Sequence, residues 1–226
     1  MLDETTPRGR IVAAALRLAA ERPWTSVSLE DIAKAAGMGL VELRPHVGSK
    51  SQIVAVLMRA VDDEVLRRAP AAADGQAARD RLFDVIMTRF DVLNAHKPAI
   101  RSIAKAGMVD STLVMPFLNA QRWMMAAAGI DADGPLGLAR VAGVGSVYAS
   151  VFNTWLDDDD PGMARTMAAL DQRLRRGERT ISAVEGAVSD AVRLATTVPR
   201  VVCSVLRGAR RPAASQPEPA PQPPTQ

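Results

Sequence analysis

"SLEDIAKAAGM", residues 28–38, is the stretch on which the reading of this chain turns. Ser28 is a good helix N-cap, and Asp31, three residues on, completes a capping box. Ala33 is small enough to sit where two helices cross. Gly37 falls where a helix of this length ends, at the position that favours a left-handed backbone. A short further helix over about 39–45 follows. The three signals together describe a helix–turn–helix, whose second helix enters a major groove by its N-terminal end.

Outward from this stretch the helical spacing continues. In "RIVAAALRLAAER" (10–22), Ile11, Ala15, Leu18 and Ala19 share one face, and Pro23-Trp24 stops the run. On the other side, Pro45 in "LRPHVGSK" (43–50) ends the short helix early by pushing residue 44 from the helical region. Ser49 caps a fourth helix (49–69) with Ile53, Leu57, Ala60 and Val61 on one face and Leu66 further down. "APAAADGQ" (69–76) has the composition of a linker.

Beyond the linker, Leu82, Phe83, Ile86, Phe90 and Leu93 mark a helix over 78–96, and "KPAIRSIAKAG" (97–107) marks a shorter one. "STLVMPFLNAQRWMMAAAG" (111–129) is apolar nearly all round. "PLGLARVAGVGSVYASVFNTWL" (135–156) is the most apolar segment and is expected to be a buried central helix, with Gly143 and Gly145 as close-packing sites. Asp160-Pro161 reads as an N-cap with proline at N1, and another helix is expected near 180–197. No segment alternates like a strand, so the expected class is all-α. Its parts are an N-terminal helix–turn–helix domain (8–68), a C-terminal helical ligand-binding and dimerisation domain (76–198), and a basic, then Pro/Gln-rich tail (199–226) expected to be disordered.

Composition narrows the function classes. Apolar residues make up 48% of the 226, which excludes overall disorder, and aromatics only 4%, which favours helices over strands. A net charge of +3 is too even to argue for nucleic acid by itself, so any DNA-binding patch must be local. The lone Cys203 forms no internal disulfide, and His46 and His96 lie far apart in sequence. A reducing compartment follows. With no signal-peptide-like start and no run of about 20 apolar residues, a cytoplasmic location is expected.

The residues quoted so far resemble the N-terminal domain of TetR-family regulators over residues 8–60. "SLEDIAKAAGM" fits that family's pattern closely, and "HVGSK" followed by "IVAVL" fits more loosely. The resemblance implies an all-helical homodimer that binds a palindromic operator in double-stranded DNA and releases it when an apolar small molecule enters the C-terminal domain. By position it implies phosphate contacts from Ser28, His46 and Lys50, and base edges facing residues 39–44, among them Gly39, Leu40, Glu42 and Arg44. Two aromatic positions of the family are occupied here by Arg44 and Val47, and Glu30 and Glu42 bring carboxylates toward the phosphates. Arginine binds phosphate or guanine better than the ring it replaces, and Glu42 can accept from a cytosine amino group.

A second likeness covers "VYASVFNTWLDDDDPGMARTMAALDQRLRR" (147–176), which resembles the C-terminal core of TetR-fold lipid-binding proteins of ubiquinone biosynthesis. It implies a shared ligand-domain ancestry, and it supplies the alternative function: a lipid- or quinone-binding accessory protein with a degenerate DNA reader. Phe83, Met87, Phe90, Met115, Trp123, Met124, Tyr148, Phe152 and Trp155 are the candidate lining of an apolar pocket. Core packing accounts for the same pattern. "LDDDDP" (156–161) lacks the spacing that would wrap a cation and reads as a solvated loop with Asp160 as a helix cap. The basic amphipathic "RVVCSVLRGARR" (200–211) can touch an anionic membrane, dock on its own domain or fray. No catalytic constellation, metal-ligand set or cofactor motif is present in the sequence, so no enzymatic activity is expected.

Overall fold

The computed structural model describes residues 2–70, 75–107, 111–133 and 136–177, all within the compact unit Met1–Arg179. The expected helix near 180–197 and the tail from 199 lie outside the described residues. The described residues are helical, with no strand among them. The helices are α1 (Pro7–Glu21), α2 (Leu29–Ala35), α3 (Leu40–Leu43), α4 (Lys50–Arg68), α5 (Ala78–Asn94), α6 (Lys97–Lys105), α7 (Val114–Ala127), α8 (Gly137–Leu156) and α9 (164–177). Short 3-10 turns at Trp24–Ser26 and Ser111–Leu113 precede α2 and α7.

Local chemistry sets several helix ends, those of α1, α2 and α4 among them. α1 starts three residues earlier than the apolar spacing suggested, because Thr6 Oγ1 accepts from Gly9 N at 3.0 Å and Pro7 supplies a pre-set first turn. The capping box of α2 is complete. Asp31 N donates to Ser28 Oγ at 3.0 Å, and Ser28 N donates to Asp31 Oδ2 at 2.9 Å. Those Ser28 bonds, backbone first, hold the Asp31 carboxyl below the usual carboxylate range. Gly37 takes φ +69°, Gly37 N donates to Lys34 O, and Met38 N donates to Ala33 O at 3.0 Å. That is a Schellman closure, which a residue with a Cβ adopts only under strain.

The end of α3 differs in mechanism from the expectation. Arg44 keeps helical dihedrals (φ −51°, ψ −41°), so Pro45 does not push it out of the helical region. What stops α3 is the missing N–H of Pro45, which leaves nothing to bond the Val41 carbonyl. The chain then tightens through His46 N and Val47 N, both donating to Leu43 O. Along α4 the inner stripe is Ile53, Leu57, Val61 and Val65, each buried. Leu66, expected to continue it, is 39% exposed, because a four-residue step along a helix keeps phase better than a five-residue one.

α4 packs against α1, α5 and α7, α1 packs on α6, and α7 packs on α8. One continuous core results, running from Ile11, Trp24 and Ile32 through Val61 and Ile86 to Phe90, Met125, Val151 and Trp155. α8 is not buried all round as its composition suggested. Val141, Tyr148, Val151 and Trp155 face the core, while Leu138, Ala139, Ala142, Gly143, Ser146, Ala149 and Asn153 face solvent. Accordingly Gly145 is a close-packing site, where a Cβ would meet the Phe117 ring at 3.0 Å, and Gly143 is not, having open space beside it.

The acidic run after α8 is less solvated than expected. α9 begins at 164, not at Pro161, after Met163 takes φ +53°. Asp160 Oδ2 does cap α9, accepting from Ala164 N at 3.0 Å. Asp158 is buried, and its Oδ2 accepts from Thr166 N at 2.8 Å and Thr166 Oγ1 at 2.7 Å. Burial pushes that carboxyl up, but the bonds from Thr166 and Asp160 N outweigh it and hold it below the usual carboxylate range. A depressed folded-state pKa contributes stability above the unfolded value, and that stability is lost as pH falls through the folded value. Melting temperature followed from pH 7 to pH 3 should therefore fall more steeply for the wild type than for Asp158→Asn. Parallel curves would refute this role.

Candidate nucleic-acid interface and effector cavity

α3 is held from one side only. Leu43 is 2% exposed and Val47 is 3%, while Leu40 is 49% and Val41 89% exposed, and Glu42 and Arg44 also face solvent. This outer surface offers two apolar side chains suited to a thymine methyl, one acceptor and one fork of donors. Ser28 and Gly39 are exposed at the starts of α2 and α3, and His46 is half-buried.

Lys50 is bound inward. Its Nζ donates to Trp24 O at 2.6 Å and Val27 O at 2.8 Å and lies 4.7 Å from the Trp24 ring centre. Burial lowers its pKa. Two of the three ammonium protons thus fasten the 3-10 turn before α2 to the first turn of α4. Sequence reading missed the tie at the other end of this turn. Trp24 N donates to Ser102 Oγ at 3.0 Å, and Ser102 Oγ donates to Arg22 O at 3.3 Å, joining the turn to α6. A serine in the middle of an amphipathic helix carries no signal of such a partner.

In the described body α4, α5, α6, α7 and α8 line an open cleft of about 640 Å³ with mainly apolar walls, a volume within the range of small-molecule sites. Of the nine aromatic and methionine side chains singled out in the sequence, Tyr148 and Phe152 line it. Phe90, Met124 and Trp155 are core, with Phe90 stacked between Tyr148 at 5.4 Å and Trp155 at 5.6 Å. Phe83 and Met87 pack half-buried against that core. Met115 and Trp123, 61% and 55% exposed, line a separate groove with Met58, Arg59, Asp62 and Leu66 of α4. Helical phase made the division, since residues of one type on one helix point in different directions.

The polar side chains of the cavity are Arg89, Tyr148 and Asn153, and Arg89, its one charged group, is a residue that sequence reading passed over. It is 3% exposed, its Nε donates to Tyr148 Oη at 3.2 Å, and its Nη1 pairs with Asp62 of α4. Burial opposes the Arg89 charge, and Tyr148 and Asp62 more than restore it. Burial pushes the Asp62 carboxyl up against the pull of Arg89. The signal was present in the periodicity, because Arg89 falls on the buried stripe of Leu82, Ile86, Phe90 and Leu93. A charge at such a position needs a partner inside.

A capped helix, a glycine closure and a short outward helix on a helical body define a helix–turn–helix protein. Residues 11–55 match the family described as bacterial regulatory proteins, tetR family. The chain thus carries a TetR-type N-terminal domain, as its resemblance over 8–60 implied. Among solved structures, a TetR transcriptional regulator from Nitrosomonas europaea superposes with a TM-score of 0.61 at 23% identity, covering 76% of this chain and 97% of that one. One from Rhodococcus sp. RHA1 gives 0.60 at 20% identity, covering 77% and 97%. A tetR-family regulator from Streptomyces coelicolor gives 0.55 at 18% identity, covering 93% and 100%. A comparison with curated proteins returns no significant match. The likeness of 147–176 to ubiquinone-biosynthesis proteins finds no support in these comparisons. Among the described residues, no helix is long and apolar enough to cross a membrane.

Proposed function

We propose that this protein is a dimeric, DNA-binding transcriptional repressor released from a palindromic operator by a small apolar molecule. The observation that carries the reading is the one-sided anchoring of α3, whose outer face is free to enter a groove while Leu43 and Val47 fix it to the body. In this reading Gly39, Leu40, Glu42 and Arg44 meet base edges, and Ser28, His46 and Lys50 meet phosphates. The solvent face of α8, where Leu138, Ala139, Ala142, Gly143 and Ser146 leave an uncharged surface, supports dimerisation through this helix and α9.

A gel-retardation assay against the palindrome nearest the gene, repeated at several salt concentrations, tests it. The wild type should retard the fragment with a steep salt dependence. Arg44→Ala should weaken binding by about 1–3 kcal/mol. Loss confined to one base position marks guanine readout, whereas a uniform loss with a salt slope lower by about one marks a phosphate contact. No retardation at low salt overturns the proposal.

A further inference from the structure

The cavity is lined by one buried cation, Arg89, and that cation is paired with Asp62 of α4, the helix that follows α3. Arg89 reaches the cavity from α5. Its bonds to Tyr148 and Asp62 leave from Nε and Nη1, so the Nη2 edge remains for a ligand. Tyr148 accepts from Arg89, which leaves its own O–H free to donate. Two convergent donors thus stand at one place in a wall whose other side chains, Asn153 apart, are apolar, among them Leu57, Val61, Leu93, Ile100 and Phe152.

We infer that the cavity takes an amphiphilic monocarboxylate, whose carboxylate binds Arg89 and Tyr148 in place of Asp62 and so frees α4 from α5. The inference rests on the regulator reading above and deepens it by naming the effector class and the contact it breaks. Charge balance selects a monoanion. Exchanging one carboxylate for another leaves the buried charge unchanged, whereas a phosphate dianion would bury an excess negative charge. Geometry makes the exchange feasible, because Asp62 also borders the outer groove, where Arg59 lies three residues back on the same helix. The displaced carboxylate therefore has a wet site and a cation at a spacing that pairs. The coupling is local to α4, whose first turn carries Lys50 and its bonds to the turn before α2.

Isothermal titration of the full chain with decanoate, and with decan-1-ol as the uncharged match, tests the site without DNA. The wild type should bind decanoate at least about 10-fold more tightly than the alcohol, the margin expected of a charge-assisted pair over a neutral one. Asp62→Asn keeps an acceptor for Arg89 but removes the competing charge, so decanoate should bind about 10-fold tighter still and the alcohol unchanged. The double variant Asp62→Asn/Arg89→Met removes both charges without stranding either and should bind the two probes alike. Equal binding of acid and alcohol by the wild type, no binding of decanoate, or an Asp62→Asn variant no tighter than wild type would overturn the inference. Adding decanoate to the operator complex should release DNA, and binding without release refutes the coupling. A chain that retards no DNA yet shows the decanoate pattern refutes the regulator reading and leaves the anion site standing.

Discussion

Asp62→Ala should lower the free energy of unfolding by about 3–5 kcal/mol, read from urea denaturation. The size comes from what remains behind. Arg89 is 3% exposed, and removing its carboxylate partner leaves a guanidinium with only the Tyr148 hydroxyl and a ring 5.5 Å away. Burying an unpaired charge costs more than the pair ever contributed. For that reason the double variant Asp62→Asn/Arg89→Met should lie near the wild type even though it loses the same ion pair. This contrast separates a buried charge that needs a partner from a contact that merely adds stability. An Asp62→Ala protein within about 1 kcal/mol of wild type would mean that water reaches Arg89, as at a surface pair.

Trp24→Ala should cost about 3–5 kcal/mol, the range for truncating a large buried ring. Trp24 is 1% exposed and joins three parts of the molecule. Its ring lies under Lys50, its carbonyl accepts from the same ammonium, and its N–H donates to Ser102 on α6. The truncation keeps the backbone bonds but opens a cavity beneath α2 and α4. Operator affinity should fall with stability, since the same turn sets where α2 begins. Trp24→Phe retains a ring for the cation and most of the volume, and should lose much less of both. If Trp24→Ala unfolds near the wild-type denaturant midpoint, this turn does not tie α4 to α6.

The reader was legible because its instructions are local. Ser28, Asp31 and Gly37 act within their own helix or no more than two residues beyond it, and their bonds span three to five residues. Helix existence was legible throughout the described chain for the same reason. The cavity was not. Nine apolar side chains were candidates, and two line it, because type and spacing state that a residue is inward but not which neighbour it meets. Arg89 and Asp62 were hidden differently. They are 27 positions apart, and each alone is an ordinary charge on an amphipathic helix.

The division is one of range. Capping, closure and apolar phase are written in stretches of a few residues, and they alone specify an all-helical chain with a helix–turn–helix near its start. Which charges meet across helices, which face of α8 stays in solvent and where a cavity opens depend on how α4, α5, α7 and α8 cross. Side-chain partners at such distances are chosen by close packing of the whole core, and no short stretch of sequence contains that information.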